Sequence, residues 1–465
     1  MTVRTERDSI GTRELPFDAY YGINALRSKE NFDISGQKVD IELIQSIALI
    51  KKAAALVNAE DGKLSGKSKE AIIKACDELM GPCSEPQSKA LLDSVIVDPF
   101  QGGAGTSINM NINEVIANRA IEMIGGRKGD YNIVHPNDHV NLSQSTNDVI
   151  PSAIKLASYR LCVELEGELK KLFMSFLDKS TQFMDIIKVG RTQMQDAVPI
   201  SLGQEFFAYA DATRRNLELV RAVKGSLKEL NMGGTAIGTS VNASEYFVNN
   251  IVPKIAELSG IDFIQSENLI DSTQNVDCYI TVSGALKACS SALSKIANDL
   301  RLMSSGPRSG FAEINLPAVQ SGSSIMPGKV NPVIPEIVNQ MAFRVIGNDQ
   351  TITLAAESGQ LELNAFIPVI ACALLDSLKI MIKSIKTFRE HCVNGITAND
   401  ENCQEILQES MVTVTALCPY IGYDKAVWVA KKAMAERRTI KDVVLSQKLL
   451  DEKKIDGILN PKKMI

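Results

Sequence analysis

Histidine is nearly missing from this sequence: only His135, His139 and His391 occur in 465 residues. That leaves little material for a histidine-built metal centre or a Ser-His-Asp triad. His135 and His139 are four apart, but Pro136 between them disfavours a regular helix presenting both to zinc. The glutamate of H-E-x-x-H is absent, and so is a G-x-S-x-G elbow. Both histidines are therefore read as loop-ordering residues. The nine cysteines, scattered from Cys76 to Cys418, include no C-x-x-C pair and are odd in number. That is the usage of reduced thiols packed as small apolar groups, and argues against a disulfide framework or zinc site.

Long apolar runs are also missing. The longest, Ala365 to Leu375, is eleven residues with Pro368 inside it, against the roughly 20 that a membrane span needs. A buried helix segment is expected there. No block of like charge stands out, since 50 bases face 55 acids for a net charge of −5. Nothing here attracts nucleic acid or an anionic membrane, and a small-molecule partner is expected. The stretch from Met1 to Glu14 is polar with no apolar core, so no secretory signal is expected and the cytoplasm is the expected location.

What is present is an ordinary globular composition, 45% apolar and 23% charged, in a chain long enough for two or three folding units. Helical periodicity dominates from about residue 150. After Pro151, read as a first-turn residue, Ile154, Leu161, Leu165, Leu169, Leu172 and Phe176 mark one face of a helix of roughly 30 residues. Further periodic stretches cover about 203–228, 279–304, 333–357 and 361–392. Helices this long exceed the usual mean of about 11–12 residues, and several in succession predict a bundle with apolar faces left for other subunits. Strand alternation is scarce, so the fold class expected is mainly α.

Polar, glycine-rich or hydroxyl-rich segments interrupt the helices: Gln101–Asn109, His135–Asp148, Gly190–Pro199 and Gly306–Pro332. A stretch from Gly395 to Asn399 reads as a linker to a small C-terminal unit. Ser321–Pro332 is the richest, with three serines, two glycines, a lysine and an asparagine. Glycines there let successive N–H groups approach an anion. It is not a nucleotide P-loop, because five residues separate Gly322 from Gly328 and Val330 follows Lys329. What remains as candidate site is a set of small polar groups: Thr106, Ser107, Ser145, Thr146, Asn147, Thr192, Gln193, Ser323, Ser324, Lys329 and Asn331. Singly, such residues serve more often as caps and turns; clustered in four loops, they read as lining for a polyanionic substrate.

The segment Gly322-Ser-Ser-Ile-Met-Pro-Gly-Lys-Val-Asn-Pro332 resembles the signature loop of the aspartase/fumarase superfamily. The resemblance extends over almost the whole chain, through GTRELPFDAYYGINALRSKENF, GGAGTSINMNINEV, HPNDHVNLSQSTND, GRTQMQDAVPISLGQEF, GGTAIGTSVN and NGITAN. Local spellings are closer to aspartases than to class II fumarases: GGAGTS, Val333-Ile-Pro-Glu336, and Gln193 where fumarases carry His. The implied activity is conversion of L-aspartate to fumarate and ammonia without metal or organic cofactor. A class II fumarase and a non-catalytic relative stand beside it as alternatives. The resemblance implies three domains, at 1–145 (mixed), 146–397 (central long-helix bundle) and 398–465 (small, helical), and a homotetramer with active sites shared between subunits. It also implies Ser323 as catalytic base in an anti-elimination through an aci-carboxylate. Lys329, Thr192 and Asn331 would hold the α-carboxylate. Thr106, Ser145, Thr146 and Ser324 would donate to the β-carboxylate, and Asn147 and Gln193, together with Thr106, would position the amino group.

Overall fold

The computed structural model describes residues 2–465; Met1, the first residue of the polar amino-terminal stretch, lies outside them. Helices dominate, and the strands form four small two-stranded sheets. Residues 3–16 make an antiparallel hairpin, Val3–Asp8 with Gly11–Pro16. Five long helices follow the polar 140s loop: Thr146–Gln182, Leu202–Lys224, Asp277–Met303, Val333–Glu357 and Ile367–His391. Among the described residues no helix is long and apolar enough to cross a membrane.

The chain divides into two compact units. One comprises the residues up to Leu165 with 219–287 and 344–380, and the other 166–218, 288–343 and 381–465, so the division runs through all five long helices. In the first, the helices are pinned by polar contacts: Ser283 Oγ and Lys287 Nζ both donate to Asp349, and Asn348 Nδ2 donates to Asp376 and Ser377. In the second, an aromatic cluster of Phe176, Phe183, Phe206, Tyr209 and Phe388 packs with ring centroids 5.2–6.3 Å apart, edge-on and tilted geometries that complement the ring quadrupoles. A further core in this unit gathers Leu417, Val429, Ala433, Val443 and Ile455.

The predicted face from Ile154 to Phe176 is buried throughout. Its helix differs from expectation in length and start. It has 37 residues and begins at Thr146, which puts Pro151 in the second turn and not the first. The last periodic stretch also starts late: residues 361–366 form a turn in which Asn364 Nδ2 donates to the carbonyls of Ala355 and Ala356, closing the end of the preceding helix. The front of the Ala365–Leu375 run is therefore exposed, Phe366 by 46%. Nor is Gly395–Asn399 a loose linker. Thr397–Ala398 pairs with Ile314–Asn315, Ile396 is buried with its carbonyl accepting from Lys179 Nζ, and Asn399 N–H donates to the carbonyl of Glu313.

Candidate active site

Five of the candidate residues, Thr106, Ser107, Ser145, Thr146 and Asn147, belong to the first unit, Ser107 as the second residue of the Thr106–Ile124 helix. Thr106 opens the Thr106–Ile124 helix, its Oγ1 donating to the Gly103 carbonyl at 2.8 Å. The preceding Gly103, Ala104 and Gly105 all have positive φ. Gly105 is confined to glycine by that backbone and by Ile150, 3.1 Å from where a Cβ would sit. The 140s loop is ordered as expected by its histidines. His135 Nδ1 accepts from the N–H groups of Asn137 and Asp138, and His139 Nδ1 accepts from His135 N–H at 2.8 Å.

Ser145, Thr146 and Asn147 stand where this loop enters the long helix. Ser145 N–H donates to Asp148 Oδ1 and Ser145 Oγ accepts from Asn147 N–H, so both side chains cap the start of the helix. Asp148 also accepts from the N–H groups of Gly233 and Thr235, and Asn147 Nδ2 donates to the Ala236 carbonyl at 2.7 Å. Thr146 Oγ1 accepts from Asn109 Nδ2 at 3.1 Å, which joins the helices that carry Thr106 and Thr146. Beneath them lies fully buried Lys51, whose Nζ donates to Asn141 Oδ1 at 2.7 Å. Burial pushes the Lys51 ammonium down to about 7 and the Asp148 carboxyl up to about 6.

The other candidates belong to the second unit. Thr192 ends one strand of the Ile187–Thr192/Gln195–Ser201 hairpin, and Gln193 and Met194 form its two-residue tip. Both have positive φ, 53° and 64°, as a type I′ turn requires, though neither is the usual Asn or Gly. Holding them there costs about 1 kcal/mol or more each. Below the tip, Glu313 is buried between Arg191 at 2.6 Å and Lys188 at 2.8 Å, and Arg191 stacks over Phe311. Burial opposes the Lys188 charge, but Glu205 and Glu313 hold its ammonium above the ordinary range. Thr192 and Gln193 line a cavity of about 570 Å³ with these groups.

Ser323, Ser324, Lys329 and Asn331 lie in an exposed loop that ends at the Val333–Glu357 helix. Ser323 Oγ accepts from the backbone N–H groups of Ile325 and Met326, at 3.2 and 3.0 Å. Asn331 Nδ2 closes the loop on the Gly322 carbonyl at 2.8 Å. At Gly322 a Cβ would lie 2.2 Å from the Lys329 carbonyl oxygen, so any side chain would force the two arms apart. Thus the candidates divide between the units: Thr106, Ser107 and the 145–147 trio in one, the hairpin tip and the serine loop in the other, the last two each held by its own local contacts. Lys51, Asn109, Asn141 and Asp148 escaped the sequence reading. The Ser145-x-x-Asp148 spacing could have marked the last of these. A lysine within the apolar helix Ile41–Glu60 was the signal for Lys51.

The lyase family model matches residues 11–347, and the model for the fumarase C C-terminus matches 414–465. The aspartate ammonia-lyase of Helicobacter pylori (strain J99) is 50% identical, covering 100% of this chain and 98% of its own. That of Bacillus subtilis is 46% identical over 99% of this chain and 96% of its own. Among solved structures, the fumarate lyase:delta crystallin from Brucella melitensis bound to cobalt has a TM-score of 0.95 at 47% identity, covering 100% of this chain and 99% of that one. The class II fumarase of Schistosoma mansoni has a TM-score of 0.93 at 34% identity, with coverage of 100% and 99%. With both family models matched in order and full-length relatives at this identity, the chain belongs to the lyase family of the aspartase/fumarase superfamily.

Proposed function

We propose that this chain is a carbon–nitrogen lyase that reversibly eliminates ammonia from L-aspartate to give fumarate. One observation carries the chemistry. Ser323 Oγ sits against two backbone N–H donors, 3.2 and 3.0 Å away. Hydrogen bonds of that kind favour the ionised form of the group that accepts them, which is what a serine needs to act as base. In the proposed sequence the Ser323 alkoxide removes a Cβ proton anti to the amino group. The electron pair moves into the β-carboxylate, giving an aci-carboxylate with a second negative charge. Its collapse forms the Cα–Cβ double bond of fumarate, breaks the C–N bond and releases ammonia. Thr106, Ser145, Thr146 and Ser324 donate to the β-carboxylate as charge grows there, each donor contributing on the order of 3 kcal/mol in comparable oxyanion sites. Lys329, Thr192 and Asn331 hold the α-carboxylate. Asn147 and Gln193 position the amino group, and Gln193, having no titratable proton, leaves ammonia to depart without an acid. Every step is carried by groups of the chain itself.

The relatives at 46–50% identity are aspartate ammonia-lyases, and Gln193 stands where fumarases carry His, so aspartate is preferred over malate. Following the ultraviolet absorbance of fumarate tests this: L-aspartate should give product and L-malate essentially none. Malate turnover at comparable efficiency would install fumarase.

The assembly proposed is a homotetramer whose sites take their loops from different subunits. Exposed apolar side chains on the long helices, Phe207, Phe343, Ile346 and Leu354, support it, as such surface is buried against partners. The separate core around Val429 and the family match at 414–465 support a small C-terminal domain, 398–465, after domains 1–145 and 146–397. The cysteine usage, nine scattered residues with no C-x-x-C pair, supports the cytoplasm.

A further inference from the structure

We propose that Asn109 and Asn141 are positioning residues that commit the hydroxyl hydrogen of Thr146 to the substrate carboxylate. The inference rests on the reading of Thr146 as a β-carboxylate donor and adds what makes it one. The argument is one of hydrogen-bond direction, beginning from groups that can act in only one sense. The Gln144 carbonyl can only accept, and Asn141 Nδ2 donates to it at 3.2 Å. That leaves Asn141 Oδ1 as the acceptor on its other side, where Lys51 Nζ donates to it at 2.7 Å. The Asn141 amide is therefore fixed from both ends. Its Oδ1 then faces Asn109 at 3.2 Å and Asn113 at 3.3 Å, and each must present its Nδ2. The second N–H of Asn109 meets Thr146 Oγ1 at 3.1 Å.

A hydroxyl that accepts from Asn109 cannot also point its hydrogen at Asn109. Its hydrogen has no acceptor among the described residues, so it remains for a ligand oxygen. Asn109, Lys51 and Asn113 are buried, which keeps water from competing for the relay. A preoriented donor has no reorganisation to undergo as charge develops on the carboxylate, which is the condition under which such donors act most strongly.

The experiment is a double-mutant cycle on kcat with L-aspartate, with tetramer content checked by sizing. Thr146→Val should lower kcat by about 10²-fold, the usual loss for one oxyanion donor. Asn109→Asp is nearly isosteric but acceptor-only, so it turns the Thr146 hydrogen inward. It should lower kcat about as much, and add less than about twofold on top of Thr146→Val. Asn109→Ala introduces no charge and leaves the hydroxyl free to rotate. It should lose about tenfold alone and nothing further in the Thr146→Val background, which keeps the test alive if the aspartate variant does not fold. Losses that multiply in the double variants overturn the relay. So does near-normal kcat in both Asn109 variants while Thr146→Val is impaired, an outcome that leaves Thr146 as donor. Near-normal kcat in Thr146→Val removes the donor reading and the relay with it.

Discussion

Asn231 Nδ2 donates to the main-chain carbonyl of Asn147 at 2.9 Å. That carbonyl lies four residues before Pro151, so it is the oxygen left without its helical donor by the proline ring. The side chain thus repairs the ladder at the point where the 37-residue helix would otherwise break, and it does so within the turn that carries Thr146 and Asn147. Fully buried Asn231 also donates to Thr273 Oγ1 and accepts from Ser152 Oγ.

Asn231→Ala should therefore reduce stability by about 1–3 kcal/mol, the penalty for stranding buried polar partners. It should also lower kcat, because Asn147 loses its anchor. Denaturant titration and steady-state kinetics report the two effects; a variant as stable as the parent would show that the carbonyl finds another donor.

Replacing the proposed base separates transition-state from ground-state roles. Ser323→Ala should lower kcat by about 10³-fold, within the range for general-base removal, with little change in KM. Lys329→Ala should instead raise KM, since the charge is proposed to hold the α-carboxylate in both states. A serine variant with near-normal kcat would end the role given to Ser323.

Subunit sharing predicts complementation. Thr192→Val and Ser323→Ala should each be nearly inactive alone. If the 190s and 320s loops of a site come from different chains, refolding an equal mixture restores about a quarter of the sites in a closed symmetric oligomer. If both loops came from one chain, no mixture could contain a wild-type site. Activity is read as fumarate formation, and no gain on mixing, with tetramers confirmed by sizing, defeats the model.

Buried Lys51 predicts a pH dependence of stability whose sign can be worked out. Its pKa falls from an ordinary value near 10.4 to about 7 in the folded chain because burial disfavours the charge. The unfolded chain then binds more protons between those values. This contribution is therefore full above the unfolded pKa and is lost as pH falls through about 7. Relative to Lys51→Met, the parent should gain up to about 1.4 kcal/mol per pH unit between roughly pH 7 and 8.5. Asp148, raised to about 6 by burial, acts oppositely and lower: its contribution is lost as pH rises from about 3.9 through 6. Denaturant midpoints at several pH values check this, and parallel curves for parent and variant would refute it.

The sequence by itself determined the helical bundle, the loops that interrupt it and the residues that resemble the family's signature. It could do so because apolar periodicity and glycine-rich spacing are local, and a motif is read in order along the chain. Only tertiary structure decided where the great helix begins. Pro151 reads as a first-turn residue until Asn231, 80 residues later, supplies the missing donor. Gly395–Asn399 likewise reads as a linker until its pairing with Ile314–Asn315 is seen. The polar groups behind the site were hidden for the same reason. Lys51, Asn109 and Asn141 lie far apart in sequence, and their meaning is the direction of hydrogen bonds between them. Direction depends on which atom faces which, and that is settled only when the helices pack.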